Sequence, residues 1–251
     1  MKKLSEQIVE WLRSWFEENG RKTAVIGISG GKDSAVVAAL CVRALGPENV
    51  FGVLMPNGEQ PDIADAKQVV EELGIRHAVV NIQPLFNDVM ALYDSAMRDL
   101  VAVPTPSDGA SINIQPRVRM TVLYTIAQTL SERDGAHACV VGTGNFSEAM
   151  VGYTTKWGDA SCDVDPIGNL WVEEVIQVGD ELGYYPNIIH KTPSDGLCGR
   201  SDEDNLGFTY AQVRAFFEAP DTLAEDVKEA IQKRYTASAH KRNSIPCFSR
   251  L

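Results

Sequence analysis

Basic residues are in short supply: 23 Lys and Arg stand against 34 Asp and Glu in a chain of 251 residues, giving a net charge of −11 and an isoelectric point near 4.8. A nucleic-acid surface needs a stripe of cations facing the phosphates, so this balance speaks against a nucleic-acid partner. Cysteine is sparse as well. The five residues, Cys41, Cys139, Cys162, Cys198 and Cys247, form no Cys-x-x-Cys pair and have no close His partner, which indicates neither a zinc site nor a disulfide framework and reads as reduced thiols. No stretch reaches the roughly 18 apolar residues of a bilayer span, and the charged, amphipathic segment from Met1 to Gly20 lacks the apolar core of a signal peptide. A soluble, cytoplasmic protein with no membrane partner is expected. No Ser-His-Asp or Cys-His constellation stands out.

What the chain does have is the run Gly27-Ile28-Ser29-Gly30-Gly31-Lys32-Asp33-Ser34, set between the apolar stretches Ala24–Ile28 and Ala35–Leu45. Adjacent glycines can turn successive N–H groups toward one concavity, and the positive end of the following helix adds to its attraction for phosphate. Ser29 and Ser34 add hydroxyl donors. Asp33 would repel a phosphate unless a divalent cation lies between them. A Walker loop is excluded, because Asp33 interrupts Gly-Lys-Ser and Ile26 stands where that loop needs glycine.

Apolar spacing predicts a first helix through Leu4, Ile8, Trp11, Leu12 and Trp15, ending near Asn19-Gly20. Strands are expected at Ala24–Ile28, Val50–Met55, Ala78–Ile82 and Ala138–Val141, alternating with helices at Ala35–Leu45, Ile63–Leu73, Pro84–Leu100 and Asn113–Glu132. This alternation implies a parallel sheet with helical crossovers. Residues 142–169 and 192–207 are polar and read as long irregular segments of the kind that carry function. Helices are expected again at Val172–Leu182, Tyr210–Glu218 and Leu223–Tyr235, before a polar tail through His240-Lys241-Arg242.

In an open parallel sheet the loops after the first and fourth strands are candidates to face one another. The second of these, Gly142-Thr143-Gly144-Asn145 with Glu148, offers a hydroxyl and a second carboxylate. Asp33 and Glu148 would then hold magnesium between phosphates; a helix cap at Thr143 or Asn145, with Glu148 in the first turn, accounts for the same residues equally well.

The Ser-Gly-Gly-x-Asp-Ser run resembles the signature of the PP-loop ATP pyrophosphatases. The blocks Gly142 to Glu148, Gly152 to Asp159, Asp163 with Pro166-Ile167, Asn113 to Met120, Pro193-Ser194 with Ser201-Asp202-Glu203, and His240-Lys241-Arg242 are similar, in order, to those of ammonia-dependent NAD synthetases within that superfamily. The resemblance covers nearly the whole chain. It implies an α/β fold of three layers, a five-stranded or similar, mostly parallel twisted sheet with helices on both faces, of the adenine nucleotide alpha hydrolase-like kind. It implies ATP as co-substrate bound by Gly27, Ile28, Ser29, Gly30, Gly31, Lys32, Asp33, Ser34, Thr143 and Ser194, and Mg²⁺ bound by Asp33 and Glu148, the catalytic pair. Arg117, Lys156, Asp159, Asp163, His240 and Lys241 would contact deamido-NAD, although Arg117 and Arg119 can equally make surface ion pairs and the tail a solvated face. A homodimer is implied too.

The implied reaction is amidation of nicotinic acid adenine dinucleotide to NAD through an adenylate, with release of AMP and pyrophosphate. Glutamine use requires an amidase module, for which residues 1–23 leave no room, so a single domain over 1–251 fed by free ammonia, or by ammonia from a partner subunit, is expected. Two departures stand out. Val172 occupies the place of a lysine common in the family, and Arg200 precedes Ser201-Asp202-Glu203 where glutamine is usual, which makes Arg200 a candidate to restore the missing charge. The alternatives are a paralogue acting on another carboxylate, or a nucleotide-binding protein with weakened catalysis.

Overall fold

A computed structural model describes residues 2–60, 63–97, 107–191 and 202–248. Helix α1 (Leu4–Glu18) buries Ile8, Leu12 and Phe16, four residues apart along one stripe, and leaves Trp11 partly in solvent. Four strands follow: β1 (Thr23–Gly27), β2 (Val50–Leu54), β3 (Arg76–Val79) and β4 (Ala138–Val140). They pair in parallel in the order β3-β2-β1-β4, with Val25 opposite both Phe51 and Val140. Parallel neighbours need long crossovers. Helices supply them: α2 (Lys32–Leu45), α3 (Ile63–Glu72), then α4 (Gln83–Met97) and α5 (Asp108–Asp134).

The two-residue period of the strands sorts the core into layers. Ala24, Ile26 and Ile28 join α1, α2 and α3 in one cluster, together with α7 (Val172–Leu182) and α8 (Pro186–Ile189). Val25, Val53 and Val140 join Val118 and Ala127 of α5 on the other side. A third cluster unites Val151 of α6 (Phe146–Val151) with Leu206 of α9 (Asp202–Leu206), Val213 of α10 (Tyr210–Glu218) and Ile231 of α11 (Glu225–Ala237). The last turn is α12 (Ala239–Arg242). No described helix is long and apolar enough to cross a membrane.

Several expected boundaries shift, each for a local reason. Among the described residues the sheet has four strands; where a fifth would lie, Val164 forms one parallel bridge with Val141 before Pro166, which has no N–H to give, ends the pairing. The third strand begins at Arg76 rather than Ala78. It leaves the ladder after Val79 because Val80 and Ile82 still donate to Leu54 and Pro56, at 2.8 and 2.9 Å, while Pro56 cannot donate in return. Helix α5 starts at Asp108, not Asn113, because Ser107 caps it by accepting from the Ala110 N–H at 3.3 Å. The segment 142–169 is not wholly irregular, since it contains α6, a helix of 6 residues and too short for a periodic signal.

Leu40 of α2 is fully buried against the sheet. Leu40→Ala is expected to cost about 2–5 kcal/mol of unfolding free energy, read by urea denaturation.

Candidate active site

The strand order decides where a ligand can bind. β2 and β3 lie to one side of β1 and β4 to the other, so the chain reverses direction across the sheet at β1, and a crevice opens beyond the carboxyl ends of β1 and β4. Both candidate loops leave the sheet there.

The first loop is braced from within. Gly30 takes a φ of +87°, which a residue with a Cβ adopts only under strain, and this turns the chain into α2. Ser34 Oγ accepts from the Ser29 N–H at 3.2 Å and donates to the Gly31 carbonyl at 3.1 Å, while Ser29 Oγ accepts from the Gly31 N–H at 3.1 Å. The two hydroxyls lie 3.0 Å apart. They therefore shape the nest in addition to any contact with a ligand. Gln60 closes one side by donating from Nε2 to the Ser29 carbonyl at 3.2 Å.

The second loop approaches through Asn145. This residue caps α6, its Oδ1 accepting from the Glu148 N–H at 3.0 Å while its own N–H donates to Glu148 Oε2 at 3.2 Å. The other end of the same amide, Nδ2, donates to Asp33 Oδ1 at 3.2 Å. The two readings open on spacing are thus compatible: Glu148 is a capping-box partner, and it shares Asn145 with Asp33. Burial, and then the Asp33 charge, hold the Glu148 carboxyl well above its ordinary range. Lys32 answers part of this charge. Its Nζ lies 2.9 Å from Asp33 Oδ2, and although burial opposes its ammonium, Asp33, Glu148 and Asp202 more than offset that and raise its pKa.

Asp165, which the sequence did not single out, steadies the second loop. Its carboxylate accepts backbone N–H bonds from Ile167, Gly144 and Gly168, and burial nevertheless pushes its pKa up to about 6. A Cβ on Gly142 would lie 2.9 Å from Asp165 Oδ2 and 2.6 Å from Cys162 Sγ, so only glycine passes there. Thr143 is half-buried on this loop.

The residues expected to meet a dinucleotide gather at the other end of α6. Lys241 Nζ donates to the carbonyls of Gly152, at 2.7 Å, and Thr154, at 2.5 Å. Lys156 Nζ donates to the His240 carbonyl at 2.7 Å, and Asp159 accepts from the Thr155 N–H at 2.7 Å. Burial lowers the Lys241 pKa, with Asp159 opposing and the nearby charges of Arg234 and Arg117 adding to the drop. Arg117 is exposed on α5, in keeping with either role given to it. Asp163 stands apart from this group. Its two oxygens accept from Val140 N–H at 2.8 Å and Tyr124 OH at 3.3 Å, tying the loop to the sheet edge.

Two bland readings fail. Arg119 is no surface ion pair, because its Nε donates to the Met55 carbonyl at 3.2 Å and burial lowers its pKa. Nor does Arg242 of the tail belong to a solvated face, since it donates to the carbonyls of Ala149, Met150 and Tyr235 at 3.0, 3.1 and 2.5 Å, although His240 is exposed. Val172 is buried in the third cluster and gives its N–H to Ser147 Oγ at 3.1 Å. Ser194 and Arg200 lie outside the described residues. Asp202 and Tyr210 join the site without having been expected for it: the Tyr210 hydroxyl donates to Asp202 Oδ2 at 3.3 Å, and burial, then Glu148, raise its pKa.

A glycine turn at the reversal of a parallel sheet, with Asp33 beside it and Glu148 across the crevice, is the arrangement of an α/β protein that handles polyphosphate through its backbone. Comparison with known proteins narrows that class. The chain belongs to the NAD synthase family, whose profile matches residues 4–245. It is 38% identical to the NH(3)-dependent NAD(+) synthetase of Pyrococcus furiosus over 94% of this chain and 92% of that protein. The counterpart in Methanococcoides burtonii is 42% identical over 82% of this chain and 74% of that one. Among solved structures, NMN synthetase from Francisella tularensis superimposes with a TM-score of 0.85 at 32% identity, covering 98% of this chain and 97% of that chain.

Asn145→Ala is expected to remove about 1–2 kcal/mol of stability with the cap, and to weaken ATP binding. Asn145→Ser keeps a cap acceptor but is too short to reach Asp33, so it should recover the stability in urea melts and not the affinity in calorimetry.

Proposed function

We propose that the chain joins ammonia to the nicotinate carboxylate of deamido-NAD, consuming ATP and releasing AMP and pyrophosphate. The observation that carries this is the approach of Asp33 and Glu148 across Asn145, at the mouth of the amide nest. The names of the family relatives support the same reaction.

A carboxylate is a poor acyl electrophile, so it must be activated before nitrogen attacks. The substrate oxygen adds to the α-phosphorus and pyrophosphate leaves, with its new charge facing the amino end of α2. Ammonia then adds to the acyl carbon and AMP leaves. Proximity and electrostatics suffice for both displacements. Asp33 and Glu148 suit magnesium, an ion that commonly takes one or two carboxylates with phosphates and water. Bound there, it would supply Lewis-acid charge to the phosphates. Lys156, Asp159, His240 and Lys241, with Arg117 beside them, are the groups we assign to the dinucleotide.

Incubation with ATP, Mg²⁺, ammonium and deamido-NAD should yield NAD and AMP in equal amounts, and Asp33→Asn or Glu148→Gln should cut the rate at least about 100-fold. ATP binding with no AMP formed would sink the reading. A mononucleotide acid is the second reading, favoured by the resemblance to NMN synthetase; nicotinic acid mononucleotide assayed in parallel separates the two.

We also propose a homodimer, since α4 buries none of its residues and presents Leu85 and Leu92, seven apart on one face, 43% and 70% exposed. Leu92→Asp should shift the sedimentation coefficient toward the monomer.

A further inference from the structure

The placement of Lys32 is costly in two ways. It is the first residue of α2, where the helix dipole disfavours a cation, and its side chain is only 5% exposed although a lysine free of duties reaches for water. It follows the two glycines of the nest directly, and its ammonium is buried on Asp33, one of the residues assigned to the triphosphate. Three carboxylates hold it there: Asp33 by contact, Glu148 and Asp202 by their charge. Val172, buried among apolar side chains, brings no charge to this corner.

The contact with Asp33 matters most. Asp33 Oδ1 already accepts from Asn145, and the Lys32 ammonium stands on the remaining oxygen, Oδ2, at 2.9 Å. A unit positive charge at that distance repels any divalent cation approaching the same oxygen. The two compete for it.

We propose that Lys32 is an exchangeable counter-ion: it holds Asp33 Oδ2 until metal and triphosphate enter together, then turns its ammonium to the phosphate oxygens. This rests on the reading of the site as an ATP site. It makes metal and nucleotide bind as a unit, because the metal alone must displace an ammonium that has no phosphate to go to. Lys32 is then a positioning residue for the acidic pair and a phosphate contact in turn.

Calorimetric titration of the wild type, Lys32→Met and Lys32→Gln with Mg²⁺ alone, with ATP in EDTA, and with both tests this. Gln keeps a hydrogen-bond donor toward Asp33 and guards against a variant that fails to fold, which circular dichroism would show. Loss of the ammonium should tighten Mg²⁺ alone and weaken metal-free ATP, each by about tenfold, since charge-assisted bonds are worth that much or more. A shift under threefold in either constant, or a shift of both in the same direction, overturns the proposal. A purely structural lysine would lower the melting temperature and leave the two constants as they were. Failure of the wild type to bind ATP with Mg²⁺ would instead remove the ATP reading, and this inference with it.

Discussion

One side-chain amide reconciles two acids. Asp33 lies in the first turn of α2 and Glu148 in the first turn of α6, where each is favoured by the dipole of its own helix and disfavoured by the other. Asn145 gives Nδ2 to the first and its backbone N–H to the second, and so fixes a distance that repulsion would otherwise widen. The remaining features serve that approach. The strand order puts the two loops side by side, Gly142 lets the chain pass over Asp165, and Asp165 pins the second loop by three backbone bonds.

The cluster is not a source of stability. Burying like charges together raises the energy of the folded state, and a single ammonium answers only part of it. A fold retains such a defect where the missing charge is to be supplied by a ligand. The net charge of −11 sets the same condition over the whole surface, so an anionic substrate must be drawn in by local groups, the nest amides and the Lys156 and Lys241 side chains, against the general field.

How much of this was legible depended on the range of each interaction. The strand-to-helix junction at Gly27 to Ser34 is local, and its glycines and hydroxyls announce themselves. The long helices at α1, α7 and α10 are equally plain because their apolar faces repeat. The side-by-side placement of the first and fourth strands follows from the reversal rule and was expected. What the residues could not disclose were contacts made at long range: the Asn145 amide reaching Asp33, the Arg119 guanidinium on the Met55 carbonyl, Asp165 under Gly142 and Gly144. Arg242 misled for the same reason, since a basic tail looks solvated until its carbonyl partners are known. The short α6 showed only through its cap at Asn145 and Glu148, because six residues carry no period.

Helix α6 joins two halves of the molecule that the chain order keeps far apart. Its leading end carries the acidic pair, and its trailing carbonyls are gripped by Arg242, with Lys241 fastened to the residues just beyond. Six residues are too few to bend, so a tug on the carboxy-terminal segment is delivered to the phosphate end as a rigid displacement.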